Sequence, residues 1–271
     1  MESLSLFKAL FLGFLQGATE FLPVSSSGHL VLAQHFLGLT LEGQSLLAFD
    51  VCLHFGTLLA VLAYFWRDLS ALFLSAFASS QKAELSPRES RTFIGMVVLG
   101  TIPAVIIGLG FKDFFEQLTH EPKVAAVMLL ITGTLLLATH FAKQERIGMK
   151  NLKAWQAFVV GVFQAIAILP GISRSGTTIA AALYLKFNRD FAAKFSFFLA
   201  IPAIAGATIL SIDDLKHFSG DMLFATALGT LVSFLVGYAC IKWLMRIIRK
   251  GKIAWFGVYC WAVGIVALLC L

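Results

Sequence analysis

Residues 93–111, 124–142 and 253–271 are three runs of nineteen residues that contain no Asp, Glu, Lys or Arg. An α-helix needs ~20 apolar residues to cross the ~30 Å of hydrocarbon in a bilayer. Every backbone group inside that layer must be satisfied within the protein, which confines such runs to helices packed together. The composition agrees: 59% of the chain is hydrophobic, 13% is charged and the mean hydropathy is +0.86. We expect an all-α polytopic membrane protein with six full transmembrane helices, near 46–66, 93–111, 124–142, 193–212, 222–246 and 253–271. Leu4 to Leu22 runs straight into a Pro-Val-Ser-Ser-Ser turn, so no removable signal peptide is expected. Cys52, Cys240, Cys260 and Cys270 lie in apolar runs without metal-type spacing and read as small buried hydrophobes.

Two apolar segments do not qualify as spans. In residues 5–39 an apolar arm is broken by Pro23-Val24-Ser25-Ser26-Ser27-Gly28 and resumes from His29 to Gly38, about half a bilayer of helix. In residues 154–187 the break is Pro170-Gly171-Ile172-Ser173-Arg174-Ser175-Gly176, followed by another short arm. Irregular backbone at membrane depth survives only where protein encloses it or it lines a wet cavity. Both segments therefore read as re-entrant helical hairpins whose tips form an internal polar site.

The two hairpins are alike. At a constant offset of 148, Gly13 pairs with Gly161, Gln16 with Gln164, Ser25 with Ser173, Ser27 with Ser175 and Gly28 with Gly176. At an offset of 146, Phe49 and Leu53 meet Phe195 and Leu199. Duplication is the expectation. Three spans separate the hairpins, so the second enters from the opposite face, as in an inverted-topology repeat. We expect one membrane domain over 1–271, with repeats 1–142 and 154–271.

Charge orients the chain. Arg67, Lys82, Arg88, Arg91, Lys143, Arg146, Lys150, Lys153, Lys186, Arg189, Lys194, Lys242, Arg246, Arg249, Lys250 and Lys252 fall on one side, and Lys8, Lys112, Lys123 and Lys216 on the other. The positive-inside rule makes the sixteen cytoplasmic and puts both termini and the first hairpin's mouth outside. The net charge of +6 is thus topological information and not a nucleic-acid footprint.

Glu20, Arg174 and Asp50 fall where a charge costs ~2.5–3.5 kcal/mol on insertion scales, which makes them functional candidates. The plain alternative is an ion pair between Glu20 and Arg174 that only holds the hairpins together. Around them lie Ser25, Ser26, Ser27, Gly28 and His29 at one tip, and Ser173, Ser175, Gly176, Thr177 and Thr178 at the other. Each tip opens a helix, so unpaired N–H groups and the positive dipole end point inward. With the planar fork of Arg174, that arrangement suits phosphate. His29 follows Ser26 by three positions and can face it across one turn. Ser26, His29 and Glu20 together offer a nucleophile, a base or acid and an electrostatic partner.

Gln16-Gly17-Ala18-Thr19-Glu20, Pro23 to His29, Phe49 to Gly56 and Pro170 to Thr178 resemble the signatures of the undecaprenyl-diphosphate phosphatase, or bacitracin-resistance, family over essentially the whole chain. The resemblance implies a phosphatase in the bacterial cell membrane with interlocking inverted repeats. It would convert undecaprenyl diphosphate to the monophosphate carrier used in cell-wall synthesis, with its active site facing outward. It further implies a divalent metal, Mg or Ca, and a homodimer. Bacitracin resistance would follow because the drug binds the diphosphate.

By motif position the resemblance points to Glu20, Ser26, His29 and Arg174 as catalytic residues, and to Ser173 and Thr178 at the phosphate beside Ser27, Gly28, Ser175 and Gly176. Gln16 and Glu20 are the expected metal ligands. Many members carry Glu where this chain has Gln16. An amide oxygen can ligate a metal but cannot act as a base, which leaves base duty to Glu20 or His29. Ser26, His29 and water are the candidate attacking groups. The rival reading is a polyprenyl-phosphate transporter or flippase, because broken helices in inverted repeats also mark secondary transporters. A transporter has no need of Ser26 and His29 one turn apart. A lipid kinase is disfavoured by the lack of a Gly-rich loop followed by Lys-Ser or Lys-Thr.

Overall fold

A computed structural model describes residues 4–39, 43–77, 86–118, 121–142, 147–211, 215 and 218–271. Lys82, Lys143, Arg146 and Lys216 of the charge count, and residue 212 at the end of one expected span, lie outside them.

The described residues are helical almost throughout, and five helices are long and apolar enough to cross a membrane. They are α3 (Gly43–Tyr64), α5 (Pro87–Gly110), α7 (Pro122–Ala138, extended to Phe141 by a 3₁₀ turn), α10 (Arg189–Leu210) and α11 (Gly220–Arg249). The sixth expected span forms α12 (Trp255–Cys270), whose 16 residues reach only about 24 Å. Two short helices were not anticipated: α4 (Trp66–Phe77) and α6 (Lys112–Leu118).

Local chemistry accounts for many of the boundaries. Pro87 opens α5 behind a reciprocal cap in which Ser86 and Glu89 satisfy each other's backbone N–H. Asn188 and Ser219 cap α10 and α11. Pro103 and Pro202 sit inside α5 and α10, as membrane helices tolerate where neighbours satisfy the freed carbonyls. On the basic side, ion pairs join Lys194 to Asp68 and Arg249 to Asp190.

The first broken segment is α1 (Leu6–Glu20) joined to α2 (Ser26–Phe36), and the second is α8 (Ala154–Ile166) joined to α9 (Arg174–Tyr184). The second helix of each has 11 residues, about 16 Å. Small residues bring these arms close to their supports. A Cβ on Gly13 would overlap the carbonyl of Gly229 in α11, and one on Gly161 would overlap the carbonyl of Gly100 in α5. Such contacts let backbones meet where lipid supplies no hydrophobic drive between helices. Gly13 and Gly161, paired at offset 148, therefore do the same work on two different helices. Phe49, Leu53, Phe195 and Leu199 are all fully buried. Around α10, Phe191, Phe195 and Phe198 pack with Phe93, Phe187 and Phe65 at ring distances of 5.2 to 6.1 Å.

The cysteines depart from expectation. Only Cys260 is buried; Cys52 and Cys240 are half-buried and Cys270, in the last turn of α12, is exposed. A place in an apolar run does not decide which face of the helix a residue takes.

Candidate active site

The two tips touch. A Cβ on Gly28 would lie 2.8 Å from the Cα of Gly171, and Ser175 Oγ donates to the Leu22 carbonyl at 3.2 Å. At this junction the Glu20 carboxylate, with its side chain 6% exposed, gathers four partners. Arg174 Nη2 donates to Oε1 at 2.5 Å. Ser26 Oγ donates to Oε2 at 2.5 Å, Gln16 Nε2 donates to the same atom at 3.0 Å, and His54 Nε2 lies 3.5 Å from it. A buried carboxylate is tolerable only when paired and hydrogen-bonded, and Arg174 from the other hairpin supplies the counter-charge. Of the guanidinium's five N–H donors, Nη1 adds one bond, to the Ser196 carbonyl at 3.4 Å.

Each tip is shaped by a capping serine. Ser25 Oγ accepts from Gly28 N at 3.2 Å, and Ser173 Oγ accepts from Gly176 N at 3.0 Å. The backbones differ: Ser173 has φ −74°, whereas Ser25 has φ 69° and ψ 95°, a strained setting for a residue with a side chain. That turn aims the Ser25 carbonyl into α2, where it accepts from His29 N at 3.2 Å and His29 Nδ1 at 2.8 Å. The second tip is pinned from α7: Thr132 Oγ1 donates to the Gly171 carbonyl at 2.8 Å and accepts from Ser173 N at 3.0 Å.

Glu20, Ser26, Gln16 and Arg174 thus converge as expected. Of the two groups expected to assist Ser26, the one bonded to it is Glu20. His29 turns its nitrogens elsewhere, Nδ1 to Ser25 and Nε2 to the hydroxyl of Tyr259 at 2.9 Å. Among the residues expected at phosphate, the N–H groups of Gly28 and Gly176 are taken by the caps. Ser27 Oγ lies 3.3 Å from Ser25 Oγ, and Thr178 Oγ1 donates to the Arg174 carbonyl and meets Ser196 Oγ at 2.6 Å. The N–H groups of Ser26 and Ser27, and of Arg174 and Ser175, open their helices with no acceptor among the described residues. The Asp50 carboxylate accepts from Gln34 Nε2 at 2.7 Å, and its backbone carbonyl accepts from His54 Nδ1 at 2.8 Å, so Asp50 joins the cluster only through His54.

A divalent cation at this junction would meet two hard oxygen donors, from Gln16 and Glu20. Gln16 Oε1 is buried without a hydrogen-bond partner, beside the only carboxylate of the cluster. Among the described residues no three His, Cys, Asp or Glu side chains gather into a metal site. One carboxylate and one amide oxygen form a sparse, hard set. It fits Mg²⁺ or Ca²⁺ shared with substrate phosphates, and not a metal held by protein alone.

The sequence profile of the bacitracin resistance protein BacA family matches residues 9–266. The chain belongs to this family. An undecaprenyl-diphosphatase of Desulfosudis oleivorans is 46% identical over 264 residues, covering 95% of each chain. Undecaprenyl-diphosphatases of Desulfatibacillum aliphaticivorans and Methanobrevibacter smithii are 43% and 39% identical, over 97% and 98% of each chain respectively.

Four contributors escaped the sequence reading: His54, Thr132, Ser196 and Tyr259. His54 carried a usable signal, being an ionisable residue inside a span and four residues after Asp50. The other three are ordinary span residues whose roles come from tertiary placement.

Proposed function

We propose that the chain is an integral membrane phosphatase that hydrolyses undecaprenyl diphosphate to undecaprenyl phosphate and inorganic phosphate, recycles the cell-wall lipid carrier and confers bacitracin resistance. The observation that carries the mechanism is the Ser26 hydroxyl bonded to a carboxylate that also holds Arg174. Full-length similarity to undecaprenyl-diphosphatases supports the substrate.

In this reading the terminal phosphate docks on the open N–H groups of the two tips and on the remaining donors of Arg174, which present a fork to two of its oxygens. Ser26 Oγ attacks the terminal phosphorus, its proton passes to Glu20 Oε2, and the bond to the bridging oxygen breaks to release the lipid monophosphate. Water then takes the place of the Tyr259 hydroxyl at His29 Nε2, attacks the phosphoserine and gives its proton to that nitrogen, which passes it on to solvent, and Glu20 returns a proton to Ser26 as phosphate leaves. A divalent cation held by Glu20 and Gln16 Oε1 would neutralise charge on the diphosphate.

The site opens to the outer face of the bacterial cell membrane, with both termini outside, on the strength of the sixteen-to-four distribution of basic residues. Repeats 1–142 and 154–271 are related by inversion, a reading supported by the shared capping of the two tips and the matching glycine contacts of Gly13 and Gly161.

The test is release of phosphate from undecaprenyl diphosphate by purified protein in detergent, with and without Mg²⁺ or Ca²⁺. Wild type should release phosphate only with the ion, and Ser26→Ala should be ~100-fold slower or worse. An inert wild type would favour a transporter, and an active Ser26→Ala would remove serine as the nucleophile.

A further inference from the structure

The last helix reaches the first tip at two consecutive residues. Tyr259 Oη lies 2.9 Å from His29 Nε2, and Cys260 Sγ lies 3.8 Å from the Pro23 carbonyl. The next residue fastens α12 in place: Trp261 Nε1 donates to the Leu130 carbonyl at 3.0 Å and to Thr134 Oγ1 at 3.2 Å in α7. The Tyr259 ring lies within 2° of parallel to the His29 ring, with centroids 5.6 Å apart. His29 is buried while Tyr259 is 45% exposed, so the phenol covers the imidazole from outside.

The hydrogen-bond chemistry fixes the direction of these contacts. A carbonyl oxygen only accepts, so His29 Nδ1 carries the hydrogen that meets Ser25. Nε2 of the neutral ring is then the acceptor, and the Tyr259 hydroxyl donates to it. Ser25 and Tyr259 therefore clamp both ends of one imidazole, in the tautomer whose Nε2 carries the ring's free lone pair, on which the phenol hydrogen sits.

We propose that Tyr259 is a positioning residue for the hydrolysis: its hydroxyl holds His29 in the Nδ1–H tautomer and ring setting, and swings off Nε2 when the attacking water takes its place, leaving the one lone pair of that nitrogen to receive the water's proton. The proposal rests on the reading of His29 as the base. Tyr259 lies 230 residues from His29 in sequence, on a helix that otherwise reads as a lipid-facing span.

The test uses the full chain in detergent, with wild type, Tyr259→Phe, His29→Ala and the double variant. Tyr259→Phe keeps the ring and should fold with an unchanged thermal midpoint. Its kcat should drop about tenfold with KM within twofold, the lower end of what a general base contributes and so a fair share for the group that orients it. A readout independent of turnover is the rate at which diethyl pyrocarbonate modifies the His29 peptide, followed by mass spectrometry. This reagent attacks the unprotonated ring nitrogen, so loss of the hydroxyl should speed modification several-fold.

In the His29→Ala background, Tyr259→Phe should add nothing, since residues acting as one unit are non-additive. A wild-type kcat in Tyr259→Phe, a loss confined to KM, an unchanged modification rate, or a further loss in the His29→Ala background would each overturn the proposal. Full activity in His29→Ala is a separate result: it removes His29 as the base, and the positioning role with it, while leaving the modification rate to report the contact itself.

Discussion

Replacing Arg174 with lysine keeps the positive charge and removes the plane. In the structure the guanidinium spends Nη2 on Glu20 at 2.5 Å and Nη1 on the Ser196 carbonyl at 3.4 Å, with its other donors left for phosphate. An ammonium is a compact point charge and cannot hold Glu20 while presenting two parallel N–H bonds to an anion. A charge-assisted hydrogen bond contributes about 1.5–3 kcal/mol. Loss of one such bond to the transition state, with the other displaced, comes to about 3 kcal/mol, or roughly 100-fold in kcat/KM. Stability should suffer much less, because lysine still faces Glu20. Removing the charge altogether with Arg174→Ala would leave a buried carboxylate uncompensated at about 3–5 kcal/mol. The assay is phosphate release across a range of lipid concentrations, paired with thermal unfolding in detergent. Activity of Arg174→Lys within threefold of wild type would mean that the guanidinium only balances Glu20, and the phosphate-binding argument would fail.

Three further outcomes are expected. In a cysteine-free background, cysteine at Gly220 should react with an impermeant thiol reagent in intact cells and cysteine at Lys252 should not; the reverse pattern would invert the topology. Thr132→Val removes both bonds that pin the second tip and should cost about 1–3 kcal/mol of stability along with activity, whereas Thr132→Ser retains the hydroxyl and should retain both. Gly161→Val drives a side chain into the Gly100 carbonyl and should sharply lower the thermal midpoint, while Gly95→Ala, which meets open space inside α5, should leave it unchanged or raise it slightly.

The sequence made the two breaks legible because Pro, Ser and Gly in an apolar run leave backbone groups that lipid cannot satisfy. It made the pairing of Glu20 with Arg174 legible because each was an isolated charge needing a counter-charge. The partner of Ser26 was harder. Helical spacing allows His29 to face it, yet Glu20, from the preceding arm, is the residue that arrives. Spacing along one helix reports what is near in that helix, and nothing about an arm folded back across a turn. The helix α4 was missed because Arg67 and Asp68 interrupt its apolar pattern and its 12 residues are too few for a span. Tyr259 was invisible for a different reason. An aromatic residue in a span has the same appearance whether it faces lipid or caps a histidine 230 positions away.

The strained turn at Ser25 separates stability from activity in a way the second tip does not. At φ 69° and ψ 95° a serine side chain crowds the backbone, at a cost on the order of 1–3 kcal/mol. Glycine accepts that conformation, loses only a few tenths of a kcal/mol as an N-cap relative to serine, and gives up about 0.5–1 kcal/mol to unfolded-state freedom. Ser25→Gly should therefore be as stable as wild type or up to about 2 kcal/mol more stable. Ser173→Gly, at φ −74°, has no strain to release and should be less stable by about 1 kcal/mol. Activity should move the other way at the first tip, because the Ser25 carbonyl holds His29 Nδ1 and a freer backbone aims it less well. Thermal unfolding and phosphate release on the two glycine variants decide the matter. If Ser25→Gly is destabilised as much as Ser173→Gly, the turn stores no strain; if it is stabilised with undiminished turnover, the carbonyl is not what orients His29.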